Sequence, residues 1–259
     1  MELLVADLIE RFYTALWPFL RIGAMLIAVP VLSIDAVSVR IRIILTLALT
    51  LMIYPLVDWP TIDPVSAAGL SEIFNQILIG VLMGFFLQIV TAAVVLGGQA
   101  IANSMGLAMA TMVDPGIGTV PLMSQFLLIL ATLIFLGIGG HILMIGILLR
   151  SFETFPVGVA FISGANFAAL IEWSAIIFLG GMLMALPILV ALLLVNIGVG
   201  VMARAAPSLN IFAVGFPVFF LTGYAVLILS MAGIGARIQW LWMEGIERVQ
   251  DFVLVPGVL

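Results

Sequence analysis

The chain has no cysteine, no lysine and a single histidine, His141. Without cysteine there is no disulfide, no thiolate ligand and no thiol nucleophile. Without lysine neither a P-loop nor a Schiff-base site can be built. One histidine is too few for a His-based metal centre or an H-E-x-x-H motif. Charge is equally scarce. Only 8% of the 259 residues are charged, where a soluble domain carries about 25%. Apolar residues make up 65%, and the mean hydropathy is +1.40. So little polar surface cannot cover a water-soluble body of this size. A disordered chain is excluded by the same composition, and the net charge of -5 repels nucleic-acid phosphates. An integral membrane protein remains.

What is present is a set of long uncharged runs. Residues 73–113, 115–149, 173–203 and 205–236 contain no Asp, Glu or Arg. Each exceeds the roughly 20 apolar residues that a helix needs to cross a bilayer core. Residues 12–32 and 41–57 add two weaker segments, the first carrying Arg21. The sequence therefore predicts an all-α integral membrane protein with about six hydrophobic helices, at 12–32, 41–57, 73–99, 124–149, 173–203 and 211–236. A barrel is disfavoured because no run alternates apolar and polar residues with period two. Gly80 and Gly84 form one small-xxx-small pair for close helix packing. The N-terminus has no positive n-region, so a cleaved signal peptide is not expected.

The tail from Arg237 reads differently. Ile238, Trp242, Ile246, Val249 and Val253 recur at helical spacing, with Arg237, Glu244, Glu247, Arg248 and Asp251 largely opposite. This predicts an amphipathic helix for an interface or a partner helix. Orientation is weakly coded. Arg11, Arg150, Arg237 and Arg248 fall on one side of six spans, and Arg40, Arg42 and Arg204 on the other. We expect both termini outside and the Arg40/Arg42 turn inside.

Little of this composition can carry chemistry. Gly198 to Ala203 fits G-x-G-x-x-A but sits inside an apolar run with no strand before it, so it is not a dinucleotide site. No Ser stands in a G-x-S-G nucleophile motif. A proton-coupled transporter needs ionisable groups at mid-membrane depth, and the four longest apolar segments hold no acid and no Arg. His141, Gln88, Gln99 and Asn196 read as interhelical hydrogen-bonding groups. Arg21 is expected to snorkel or to pair with an acid on a neighbouring helix. Pro18, Pro30, Pro55, Pro187 and Pro217 are expected to kink or bound helices.

The run from Met105 to Met123 is apolar yet broken by Asp114-Pro115-Gly116, by Gly118 and by Pro121. A non-helical apolar segment between spans must be buried in protein or line a cavity, because lipid cannot satisfy its backbone. Two readings stand. It is a buried connector with Met105, Met109, Met112 and Met123 as filler, or a deformable seal across a passage.

These residues also carry a resemblance. Gly106, Leu107, Ala110, Val113, Asp114 and Pro115 match the G-L-x-x-A-x-x-V-D-P segment of the flagellar export-gate FliR family. Arg204, Pro207, Asn210, Phe212, Gly215, Phe216 and Pro217 resemble that family's R-A-x-P-Q-x-N-x-F-x-x-G-F-P signature, with Ser208 in place of Gln. Met109 and Met112 stand where relatives often carry Phe. The resemblance covers essentially the whole chain, and it is closer to the flagellar branch than to the virulence-type secretion homologues. It implies a non-enzymatic subunit without cofactor: a FliP-like part at 1–172, a FliQ-like helical hairpin at 173–236 and an amphipathic tail at 237–259. It implies a channel plug at 106–120, including Gly106, Met109, Met112, Val113, Asp114, Pro115 and Gly116. It implies a hetero-oligomer with FliP-like and FliQ-like subunits, adjoined by FlhB-like and FlhA-like proteins. That assembly would pass unfolded export substrates and form a base for the flagellar rod, in the bacterial inner membrane and basal body, with part of it above the bilayer plane. A stand-alone secondary transporter or channel is the alternative.

Overall fold

The computed structural model describes residues 2–33, 37–107, 122–159, 164–205 and 211–254. Among them there are helices and turns and no strand. In chain order these are α1 (Glu2–Ala28), α2 (Pro30–Ser33), α3 (Val39–Ile53), a 3-10 turn (Tyr54–Leu56), α4 (Ala67–Ser104), α5 (Leu122–Gly137), α6 (Gly140–Thr154), α7 (Gly164–Trp173), α8 (Ile176–Ala205) and α9 (Ile211–Leu254). Four helical stretches are long and apolar enough to span a bilayer: Val39–Leu56, Ala67–Ser104, Gly164–Ala205 and Pro217–Leu254. The broken pair α5 and α6 makes a fifth if taken as one span. The expected segment 12–32 is divided between α1, whose first half carries Glu10 and Arg11, and the short α2.

Two expectations are corrected. The apolar run 124–149 is not one straight helix. It breaks at Gly139, whose φ of 72° is left-handed, a conformation glycine adopts without a Cβ penalty. Nor does a separate tail begin at Arg237, since α9 continues to Leu254. The predicted apolar stripe is nevertheless real: Ile238, Trp242, Ile246, Val249 and Val253 are all buried. The stripe packs within this chain instead of waiting for a partner, with Trp240 left half exposed.

The chain forms two compact units, Met1–Ile89 with Gly139–Ser174 and Glu244–Leu259, and Val90–Ile138 with Ala175–Met243. In the first, α4 packs on α1 through the glycine pair. A Cβ on Gly80 would strike the carbonyl of Arg21, and one on Gly84 would strike the backbone of Ala28. The start of α4 is set locally. Ser66 Oγ accepts from the Gly69 amide at 3.0 Å, an N-cap to the third helical residue. Asp63 Oδ1 accepts from the Val65 amide in the preceding turn. On α3, Thr46, Leu49, Thr50 and Ile53 are buried. The two threonine hydroxyls donate to the carbonyls of Arg42 and Thr46 one turn back, so burying them leaves no donor unmet.

In the second unit small residues again set the distances. Gly97 of α4 lies against Gly181 of α8, and Gly98 against Ser124 of α5. Ser124 Oγ donates to the carbonyl of Val95 at 3.1 Å. Leu241 of α9 fills the space beside Gly180, near the start of α8. Since α9 begins only six residues after α8 ends, this contact makes the two helices run antiparallel. Trp242 donates its indole N–H to the carbonyl of Ala131 at 2.9 Å and lies on the ring of Phe135.

Side chains at the two close crossings should be costly. We expect Gly84→Val and Gly181→Val to reduce the folded protein recovered from membranes several-fold, since overpacking a tight contact costs about 1–3 kcal/mol. Gly233→Ala, where no atom lies within 4 Å of the new Cβ, should recover like the parent in the same size-exclusion assay.

Candidate functional site

Arg21 lies in the apolar second half of α1, and its side chain is fully buried. It does not snorkel. Burying a guanidinium is tolerable only when its donors and its charge are met. The Nε group donates to Gln76 Oε1 at 2.7 Å. Nη1 donates to the carbonyl of Ser151 at 2.6 Å and to its hydroxyl at 3.1 Å. Nη2 donates to the carbonyl of Phe155 at 2.7 Å. The guanidinium also stands 4.3 Å from the centre of the Phe152 ring, a cation–π contact. Glu72, buried as well, supplies the opposing charge. It accepts from the Gln76 amide N–H, so the amide lies between the two ions.

The expectation that Arg21 pairs with an acid of a neighbouring helix is met through this bridge. Its partners were not singled out from the sequence, although one signal was present. Glu72, Gln76, Gly80 and Gly84 recur every fourth residue at the start of an apolar run, so they share one helix face. Aromatic rings surround the cluster: Trp59 stands edge-on to Phe152, and Phe155 stacks on Phe252.

The residues read as a plug begin at a defined helix end. Gly106 has a φ of 78°. Its amide donates to the carbonyl of Asn103 at 3.1 Å, and the Leu107 amide donates to that of Ala102 at 3.0 Å. This is a Schellman stop, so Gly106 serves first as the cap of α4. Met105, just before it, is fully buried and occupies the space that a side chain on Gly223 would need. Met109, Met112, Val113, Asp114, Pro115 and Gly116 lie outside the described residues.

The hairpin motif is described in part. Arg204 is exposed in the last turn of α8, where a cation suits the helix dipole. Pro207 and Asn210 lie outside the described residues. Phe212, Gly215, Phe216 and Pro217 are in the first two turns of α9, with Gly215 buried and Pro217 exposed. His141, Gln88 and Asn196 are exposed on this chain. For His141 and Asn196 the interhelical reading therefore needs a helix from outside this chain; Gln88 keeps an interaction of its own. For His141 the cause is the Gly139 break, which places it in the first turn of a new helix. Arg248, expected on a free tail, is tied to Glu244 at 3.3 Å and stands over Trp173.

Known proteins share this pattern along its length. Residues 12–245 match the family described as bacterial export proteins, family 1. The chain is 36% identical over 248 residues to the flagellar biosynthetic protein FliR of Pectobacterium carotovorum subsp. carotovorum, covering 95% of both chains. It is 34% identical to FliR of Escherichia coli (strain K12), covering 92% of this chain and 91% of that one. It is 28% identical to FliR of Bacillus subtilis (strain 168), covering 97% and 99%.

The buried cluster yields a sharp expectation. Arg21→Ala strands Glu72 and the Phe155 carbonyl and should cost about 3–5 kcal/mol. Arg21→Lys, lacking the planar fork, should recover only part of this. Thermal unfolding of the chain within its detergent-solubilised assembly, followed by tryptophan fluorescence, compares both with the parent.

Proposed function

The chain belongs to the bacterial export proteins, family 1, the family of the flagellar FliR proteins, and from that premise we propose that it is a core subunit of the flagellar protein export gate. It is a membrane component of flagellar export. On this reading it forms part of the channel for unfolded substrates and of the base on which the rod is assembled. Residues 1–172 act as a FliP-like part, 173–236 as a FliQ-like hairpin and 237–259 as an amphipathic end. It assembles with FliP-like and FliQ-like subunits in the inner membrane of the basal body, with both termini periplasmic, and meets FlhB-like and FlhA-like proteins there. The role is one of scaffold and passage, without catalysis.

The observation that carries this reading is the match to flagellar export proteins over almost the whole length. Two physical features support it. First, α8 leaves Phe178, Met182, Leu186, Leu193, Leu194 and Ile197 exposed, with polar Asn196 among them. Asn in an apolar exposed face suits a neighbouring helix that hydrogen-bonds it better than it suits lipid. Second, the donors of Arg21 are taken up by structural hydrogen bonds, which suits a scaffold better than the ion relay of a transporter. The segment 106–120 then acts as the seal of the idle channel, with Met109 and Met112 as its adaptable apolar residues.

Expressed alone, the chain should elute from mild detergent as a broad aggregate, and with FliP-like and FliQ-like subunits as one large discrete assembly. A monodisperse, cooperatively unfolding monomer refutes the subunit role. For the seal, deleting Ala108–Gly116 in an assembled complex should raise ion leakage. Moving one charge down 100 mV releases about 2.3 kcal/mol, so an unsealed pore conducts. Unchanged membrane conductance in the assembled deletion variant reduces the segment to a connector.

A further inference from the structure

Within the first unit, an open groove of about 200 Å³ runs between α6 and the last residues of α9. The proposed export role does not use it. Its α6 wall is the stripe Ile142, Leu143 and Gly146, one face at helical spacing. Gly146 makes the dip, for no atom lies within 4 Å of where its Cβ would stand. Val253 closes the floor and Leu254 the far wall. Ile142 and Leu254 are 65% and 48% exposed, so the groove presents apolar surface that hydrocarbon covers at no cost and water does not.

The rim is polar at one place. Arg150, one turn before α6 ends, and Gln250 of α9 both line the groove. Arg150 is exposed and has no ion-pair partner among the described residues. On α9, Glu244 and Asp251 are engaged by Arg248, while Glu153 of α6 is exposed and does not line the groove. An apolar trough ending in an uncompensated guanidinium is complementary to an acyl chain carrying a phosphate. Arginine's fork holds phosphate oxygens bidentately, and basic pockets between membrane helices hold anionic headgroups.

We infer that this groove binds one anionic phospholipid, its acyl chain over Gly146 and its phosphate on Arg150 and Gln250. The inference rests on the membrane reading of the chain and is independent of which subunits surround it. The test is native mass spectrometry of the full chain in the assembly it co-purifies with, after adding phosphatidylglycerol or phosphatidylcholine. The chain should retain phosphatidylglycerol about tenfold better, the effect of one charge-assisted contact. Gly146→Leu, whose Cβ meets no atom within 4 Å and whose isobutyl group occupies the trough, and Arg150→Gln should each abolish that preference. Arg150→Lys should keep part of it. Equal retention of the two lipids by the parent overturns the proposal. Full preference in Gly146→Leu also does, since Arg150 is then a bare surface charge. Neither lipid retained by the assembly assigns the groove to a protein neighbour and overturns it too. Should the chain instead purify as a monodisperse monomer, the subunit reading fails while lipid retention by that monomer still decides this one.

Discussion

A guanidinium sealed inside an apolar helix cluster dominates the energetics of the first unit. An isolated charge there would cost several kcal/mol, and the structure meets that cost with contacts from three directions. Gln76 and Glu72 come from α4, the Ser151 hydroxyl and carbonyl from the end of α6, and the Phe155 carbonyl from just beyond it. The Phe155 carbonyl lies just past the helix end, while the Ser151 carbonyl also accepts the Phe155 amide, so one side chain satisfies itself on the last turn of α6. The close approach that makes this possible depends on Gly80. It stands one turn from Gln76 on the same face and lets the backbone of α1 come within reach at Arg21 itself. Charge, amide and glycine along one stripe of α4 thus form a single device.

How much of this was legible follows from the kind of signal each part leaves. Helical spans announce themselves through length and apolarity, so an all-helical membrane chain was readable. The amphipathic stripe from Ile238 to Val253 was readable because helical spacing survives any context. Its direction inward was not, since periodicity says that a face is covered and not by what. Gly80 and Gly84 were visible as a pair, but their partner, α1, is fixed only by tertiary packing. Glu72 left no mark of its own because hydropathy averages over a window and loses one acid four residues from a glutamine. The break at Gly139 was hidden for the same reason: a single left-handed residue leaves the mean hydropathy of 124–149 unchanged.

The candidate site was legible in a different way. Gly106 and the Arg204–Pro217 motif were found by likeness of pattern, while Asp114 and Pro115 were marked as a turn by their own chemistry as well. The structure adds a local reason for one of them. Gly106 is where α4 must stop, because the Leu107 and Gly106 amides close back on the carbonyls of Ala102 and Asn103. A glycine picked out by resemblance thus has a conformational requirement of its own, and Met105 behind it is held in the notch left by Gly223.

The interruption at Gly139 has a bearing on where water reaches. At about 1.5 Å per residue, α5 and α6 are each about 22–24 Å long, shorter than the ~30 Å hydrocarbon layer. Gly137 is exposed, and no atom lies within 4 Å of where a Cβ on Gly137 or Gly139 would stand. The first amides of α6 open at this point, beside an exposed imidazole at His141. Acyl chains cannot solvate such a turn. The turn therefore serves as a depth gauge: wherever the chain is mounted, this level must be wet or shielded by another polypeptide, and lipid cannot close over it.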